Sequence, residues 1–209
     1  MDLFTYYRST SSYRVRIALA LKGLAFTTVP VDLLHGEQAS AAFRETNPQG
    51  RVPVLRLDNG DLVTQSSAII EYLDERFPHP PLLAESPELR ARQRAVAALI
   101  GCDIHPLHNV SVLNRLRAMG HAEIEIAEWI RSWIGEGLAA VEQMVDGQAF
   151  CFGDRPSVAD VYLLPQLYAA RRFNVDLAAV PRLTRVEAHA LAQSAFQAAH
   201  PDAQPDKPD

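Results

Sequence analysis

Between residues 78 and 87 the chain carries Pro78-His79-Pro80-Pro81 and then Pro87, and no regular element runs through such a stretch. It divides the sequence into two parts with different hydrophobic periods. Before it, short apolar runs suited to strands alternate with runs of helical spacing. After it, only helical spacing remains. The expected organisation is a small α/β domain over residues 1–82 followed by an all-α domain over residues 88–209.

In the first part, residues 3–7 read as a strand, 8–12 as a polar turn and 13–22 as a helix ending at Gly23. A second strand over 26–33 contains Pro30, which suits an edge position because proline cannot donate to the ladder. A short helix over 40–46 stops before Asn47-Pro48. Two strands, 54–57 and 62–64, flank Asp58-Asn59-Gly60-Asp61, a hairpin signal, and Ser66 or Ser67 then caps a helix over 68–77. The order is β-α-β-α-β-β-α. In the second part helices are expected over 88–116, 121–145, 157–173 and 181–200, with Ser157 and Asp160 spaced as a capping box. Residues 201–209 read as a frayed polar tail.

Composition narrows the function. Twenty basic residues against 25 acidic ones give a net charge of −5, which lacks the basic footprint of a general nucleic-acid binder. An apolar content of 48% excludes a disordered chain. Cys102 and Cys151 form neither a disulfide framework nor a zinc-ligand spacing. With no signal peptide and no apolar run approaching the ~20 residues of a membrane span, the expectation is a cytoplasmic, metal-free protein that engages neither membrane nor nucleic acid.

Within this acidic chain one stretch inverts the sign: Arg8, Arg14, Arg16 and Lys22 occur without an intervening Asp or Glu. The run Ser9-Thr10-Ser11-Ser12 lies in the same stretch, where a strand passes into a helix. A helix N-terminus favours an anion or thiolate, and the hydroxyls there either cap the helix or donate to such a ligand. Val52-Pro53 enters a strand, where a cis bond would turn the Val52 backbone outward toward an extended peptide ligand. Gln65-Ser66 opens the next helix and offers another N-terminus.

These features resemble, in order and content, the zeta class of glutathione transferases. YYRSTSSYRVRIALALKG resembles its active-site turn and first helix, NPQGRVPVL its cis-proline loop, and QSSAIIEYL its γ-glutamyl-binding helix start. IHPLHNVSVL, FGDRPSVADVYLLPQ and AARRFNVDL resemble its helical domain. The resemblance covers residues 3–205 and implies a thioredoxin-like domain, an all-α domain and a homodimer.

By position, the resemblance makes Ser9 the residue that stabilises a glutathione thiolate, with Ser11 and Arg8 as further catalytic candidates. Thr10 and Ser11 stand where many relatives have Ser and Cys, so the nucleophile is expected to be the sulfur of glutathione rather than a protein thiol. Glutathione contacts are implied for Ser9, Thr10, Ser11, Ser12, Tyr13, Arg14, Gln38, Val52, Gln65, Ser66, His105, Asn109 and Ser111. Arg8 and Arg172 are implied as holders of a dicarboxylate substrate. The implied reaction is glutathione-dependent cis–trans isomerisation of a maleyl diacid. Val110-Ser111 after Asn109 favours maleylacetoacetate, in tyrosine catabolism, whereas residues 101–106 favour maleylpyruvate, in gentisate degradation. A conjugating or dehalogenating transferase is the other enzymatic reading. A non-enzymatic interaction module of the same fold is disfavoured by the retention of Ser9, Gln65, Ser66 and Asn109. Because a guanidinium pairs with a carboxylate through charge-assisted bonds, Arg8→Ala is expected to raise KM for a diacid roughly tenfold or more, measured by steady-state kinetics.

Overall fold

The computed structural model describes residues 1–208; Asp209, the end of the expected helical domain and tail, lies outside them. Two compact units form. One is Met1–Pro81 together with the chain from Ala192 onward, and the other is Leu82–Leu191.

The first unit holds a four-stranded sheet of order β2-β1-β3-β4: β1 (Asp2–Thr5), β2 (Thr27–Pro30), β3 (Val54–Arg56) and β4 (Leu62–Thr64). β1 pairs parallel with β2 and antiparallel with β3, with Leu3 opposite both Thr28 and Leu55. β3 and β4 form the expected hairpin, and Gly60 takes φ 92° in its turn. Pro30 lies on an edge strand, as its missing N–H requires. Residues alternate across β1. Thr5 faces α1 (Thr10–Leu21), while Phe4 packs edge-on against Phe43 of α2 (Ala41–Thr46). Helix α3 (Ser66–Arg76) packs beside α1, and Leu3, Ile17, Leu19, Leu55, Ile69 and Leu73 are fully enclosed. A second cluster, Val31, Phe43, Val52 and Val54, lies around Phe4.

Two local expectations change. The strand stops at Thr5, and α1 starts at Thr10 rather than residue 13, because Ser9 accepts the Ser12 N–H and makes the hydroxyl run the first helical turn. No serine caps α3. Its N-cap is Gln65 at φ 68°, whose side chain makes no capping bond.

Arg16 is buried at 1% exposure. Its guanidinium donates to Thr5 Oγ1, to the carbonyls of Tyr6 and Tyr7, and to that of Ala199, the last across 183 residues. Ala199 ends α9 (Ser194–Ala199), which packs on α1 and buries Phe196 completely. Residues 181–200, expected as one helix, are therefore two: α8 (Pro181–Leu191) ends, and the extended Gln193 redirects the chain so that Phe196 reaches this core. By packing, the chain from Ala192 onward lies with the first unit, not with the helical one. Nor does the tail fray. Pro201 is buried, and the Gln204 amide donates to the carbonyls of Ala198 and His200.

The second unit contains α4 (Pro87–Ala98), α5 (Val110–Ala118), α6 (Glu123–Met144), α7 (Val158–Arg172) and α8. The expected helix over 88–116 is interrupted. Leu99–Ile104 forms a widened π turn and His105–His108 a 3-10 turn, with Pro106 unable to donate. The π turn sits against α6 at Gly137, where an added Cβ would come within 2.4 Å of Ile104. Pro87–Ala118 is long and apolar enough, by length and composition alone, to cross a membrane, contrary to the sequence reading; here it is broken and packs on α6 and α7. At the start of α7, Asp160 accepts from the Ser157 N–H and hydroxyl and from Cys151 N–H, so the predicted capping pair is present.

Arg16→Leu removes a donor from buried Thr5 Oγ1 and from the carbonyls of Tyr7 and Ala199, while the Tyr6 carbonyl keeps the Ser9 N–H. The unfolding free energy should fall by about 3 kcal/mol or more, checked by urea titration.

Candidate functional site

In the first unit, β1 ends in a turn, Tyr6 to Ser9, closed by the Ser9 N–H to the Tyr6 carbonyl at 2.9 Å. Ser9 Oγ receives the Ser12 N–H at 3.2 Å and lies 3.3 Å from Ser11 Oγ, whose hydroxyl donates to the Val52 carbonyl at 3.2 Å. With one proton per hydroxyl, the chain runs from Ser12 N–H to Ser9, from Ser9 to Ser11, and from Ser11 to Val52. Sequence positions 41 residues apart thereby meet, and the Val52–Pro53 bond is cis. The first turn of α1 contains no acidic residue, so none of its own side chains offsets the partial positive charge of the helix end.

Not every residue of the hydroxyl run faces outward. Ser12 and Tyr13 are 0% and 1% exposed, and both of their amides bond Ser9. In this geometry Ser12 and Tyr13 brace the turn from within. Thr10 is also buried. The basic stretch divides likewise. Arg16 serves the core, and Lys22 is enclosed with Asp74 at 2.8 Å and the carbonyls of Phe77 and Pro80. Arg8 stays partly exposed, stacked 5.1 Å over the Tyr7 ring and donating to the Tyr6 hydroxyl at 3.5 Å. Burial pushes the Tyr6 phenol above its ordinary pKa, against the opposing effect of Arg8.

A second polar group surrounds the start of α3. Buried Arg14 donates to Ser66 Oγ at 3.4 Å, and Gln65 Nε2 donates to Gln49 Oε1 at 2.6 Å. Gly50, at φ 62°, lets the Gln38 backbone approach, since a Cβ there would lie 2.7 Å from the Gln38 carbonyl. The Gln38 side-chain oxygen is buried and receives no donor among the described residues. Sequence reasoning missed Gln49, although it sits within the quoted NPQG run.

The second unit presents its own cluster. Asn109 caps α5, accepting from the Ser111 N–H and hydroxyl, both at 3.3 Å. His105 packs edge-on to His108, His108 on Phe173, and Arg172 lies 4.5 Å over the Phe173 ring. His108 is also hydrogen-bonded to fully buried Gln166. Arg172 and His105 are thus joined through His108 and Phe173, two residues the sequence reading did not select. Neither cysteine belongs to these groups. Cys102 is exposed, and burial pushes the Cys151 thiol well above its usual range.

A thioredoxin-like sheet carrying a hydroxyl-rich helix N-terminus beside a cis-proline loop, with a helical unit in the same chain, defines the glutathione-transferase architecture. Residues 3–81 match the family of glutathione S-transferase N-terminal domains, and residues 125–192 that of glutathione S-transferase C-terminal domains. The chain is 61% identical to a maleylacetoacetate isomerase of Pseudomonas aeruginosa over 210 residues, covering 100% of this chain and 99% of that one. The holo structure of a maleylpyruvate isomerase, described as a bacterial zeta-class glutathione S-transferase, superposes with TM-score 0.96 at 43% identity, covering 100% of both chains. A maleylacetoacetate isomerase from Anaeromyxobacter dehalogenans with glutathione in its active site gives TM-score 0.91 at 47% identity, covering 99% of this chain and 97% of that one. This chain belongs to the zeta class of the glutathione S-transferase family.

Since Ser9 is itself an N-cap, Ser9→Ala should cost about 1 kcal/mol of stability while Ser11→Ala costs less, compared by urea titration.

Proposed function

We propose that the protein is a glutathione-dependent isomerase converting maleylacetoacetate to fumarylacetoacetate. The observation that carries this reading is the Ser9–Ser11–Val52 hydrogen-bond chain at a helix N-terminus free of acidic residues, in a chain 61% identical to a maleylacetoacetate isomerase. The residues present fit glutathione. The α3 N-terminus, without a side-chain cap and backed by Arg14 and Ser66, suits a carboxylate, and the undonated oxygen of Gln38 suits a ligand N–H. Val52, Gln65 and Ser11 complete the proposed contacts in this unit, with Thr10 contributing through its backbone. In the helical unit, His105, Asn109 and Ser111 are the proposed contacts.

Glutathione, when bound, supplies a thiolate that adds reversibly to the activated double bond, permits rotation and leaves unconsumed. The protein's part is electrostatic. Ser9 turns its proton from Ser11 toward the sulfur, and the α1 N-terminus adds partial positive charge, both favouring the thiolate. The Ser12 N–H then holds the Ser9 oxygen in place, and Ser11 stays anchored on Val52. Arg8 offers a fork to one substrate carboxylate and positive charge where an enolate develops. Arg172, at the exposed end of α7, is the helical unit's candidate for a substrate carboxylate. We further assign the protein to the cytoplasm as a homodimer acting on a small dicarboxylate.

The test is an absorbance assay with maleylacetoacetate and with maleylpyruvate, each with and without catalytic glutathione. Isomerisation should require glutathione without consuming it and favour maleylacetoacetate. Ser9→Ala should lower kcat by about a hundredfold. Faster turnover of maleylpyruvate would reassign the substrate, and stoichiometric loss of glutathione would indicate a conjugating transferase.

A further inference from the structure

The turn that carries Arg8 and Ser9 is fixed by groups distant in sequence. Its own closing bond joins the Ser9 N–H to the Tyr6 carbonyl, and Arg16 binds the carbonyls of Tyr6 and Tyr7. The Tyr7 N–H, which such a turn leaves without an internal partner, donates to Asp206 Oδ2 at 2.8 Å, 199 residues along the chain. The segment that delivers Asp206 is held in several ways. Tyr13 packs edge-on to His200, Pro201 is buried, and the Gln204 amide bonds two carbonyls of the preceding residues. The Lys207 N–H donates to the Gln204 carbonyl, and the Lys207 ammonium pairs with Asp202 at 3.1 Å. Asp206 Oδ1 is buried and receives no donor among the described residues. The hydrogen bonding of this carboxylate is therefore concentrated on Oδ2, the oxygen that holds the Tyr7 amide.

We infer that Asp206 is a positioning residue for the thiol-activating turn, clamping the Tyr7 amide so that the Ser9 hydroxyl and the Arg8 guanidinium keep their directions. The inference rests on the reading of Ser9 as the donor to the glutathione sulfur. Two effects of Asp206 on that sulfur oppose each other. Anchoring the turn preorganises the donor and favours the thiolate, whereas a nearby negative charge disfavours it. Asparagine separates them, since it keeps an oxygen acceptor for the Tyr7 N–H and removes the charge.

The experiment compares wild type, Asp206→Ala and Asp206→Asn by three readouts: hydrogen exchange of the segment Tyr6–Ser9 without glutathione, the pKa of bound glutathione from ultraviolet thiolate absorbance, and kcat for isomerisation. Asp206→Ala should exchange faster over the turn, raise the bound-thiol pKa by about 1 and lower kcat about tenfold. Asp206→Asn should stay within about twofold of wild type in kcat. Asp206→Ser, a smaller change in polarity than alanine, carries the same expectation as Asp206→Ala and stands in for it should that variant not fold. An unchanged thiol pKa and kcat in Asp206→Ala would overturn the inference even if the turn exchanged faster, for the aspartate would then be structural only. Equal impairment of Asp206→Asn and Asp206→Ala would overturn it too, because an oxygen acceptor for the Tyr7 N–H would then not restore function. A wild-type protein that leaves the glutathione thiol at its free pKa would instead refute the thiolate reading itself, and the exchange data tell the two failures apart.

Discussion

The buried guanidinium of Arg16 is the interaction on which the first unit depends. A charge at 1% exposure is tolerable only if its N–H groups are answered, and the answering oxygens come from Thr5, Tyr6, Tyr7 and Ala199. Those acceptors are the end of β1, the turn that follows it and the end of α9. One side chain therefore sets where the sheet hands over to the helix and where the C-terminal chain docks. The aromatic face of Tyr13 covers the same group, with the guanidinium 5.4 Å from its ring, so the cation is enclosed by apolar as well as polar contacts.

From that anchor the polar surface of the unit is built outward with two helix N-termini used differently. At α1 the Ser9 side chain already serves as cap and lies in hydrogen-bond contact with Ser11, so under the proposed function its proton would have to turn from Ser11 to reach a ligand. At α3 the end is left open by Gln65 in a left-handed conformation, and Arg14 and Ser66 stand behind it. The first arrangement suits a group whose charge is to be tuned, the second a group that is simply to be held. Glutathione, carrying one thiol and free carboxylates, matches that division.

The helical unit achieves position by a different route. The π turn over Leu99–Ile104 fits because Gly137 has no Cβ, and the following 3-10 turn is pinned by Trp129 Nε1 on the Leu107 carbonyl at 2.8 Å. His105, His108, Phe173 and Arg172 then follow one another in ring contact, so that an arginine at the end of α7 lies over a phenylalanine that is itself packed on His108.

Much of this was legible in the sequence. The β-α-β-α-β-β-α order, the Asn59-Gly60 hairpin, the edge position of Pro30 and the Ser157–Asp160 pair all follow from signals spanning a few residues, because hydrophobic period, missing N–H groups and short capping bonds are local. So was the hydroxyl-rich turn with Ser9 and Arg8, since its composition departs from that of the acidic chain around it. Other features depend on partners that no local pattern names. Arg16 and Lys22 read only as members of a basic stretch until carbonyls from residues 6, 7 and 199 enclose the one and from residues 77 and 80 the other, and the burial of Ser12 and Tyr13 has no local signal. The π turn at Ile104 is accommodated by Gly137, far along the chain, and the tail bonds an amide 199 residues from Asp206. The sequence by itself determined the elements and their polarity. The tertiary structure alone decided which charges are buried and which hydroxyls stay free, because solvation and hydrogen-bond satisfaction are settled only when distant segments pack.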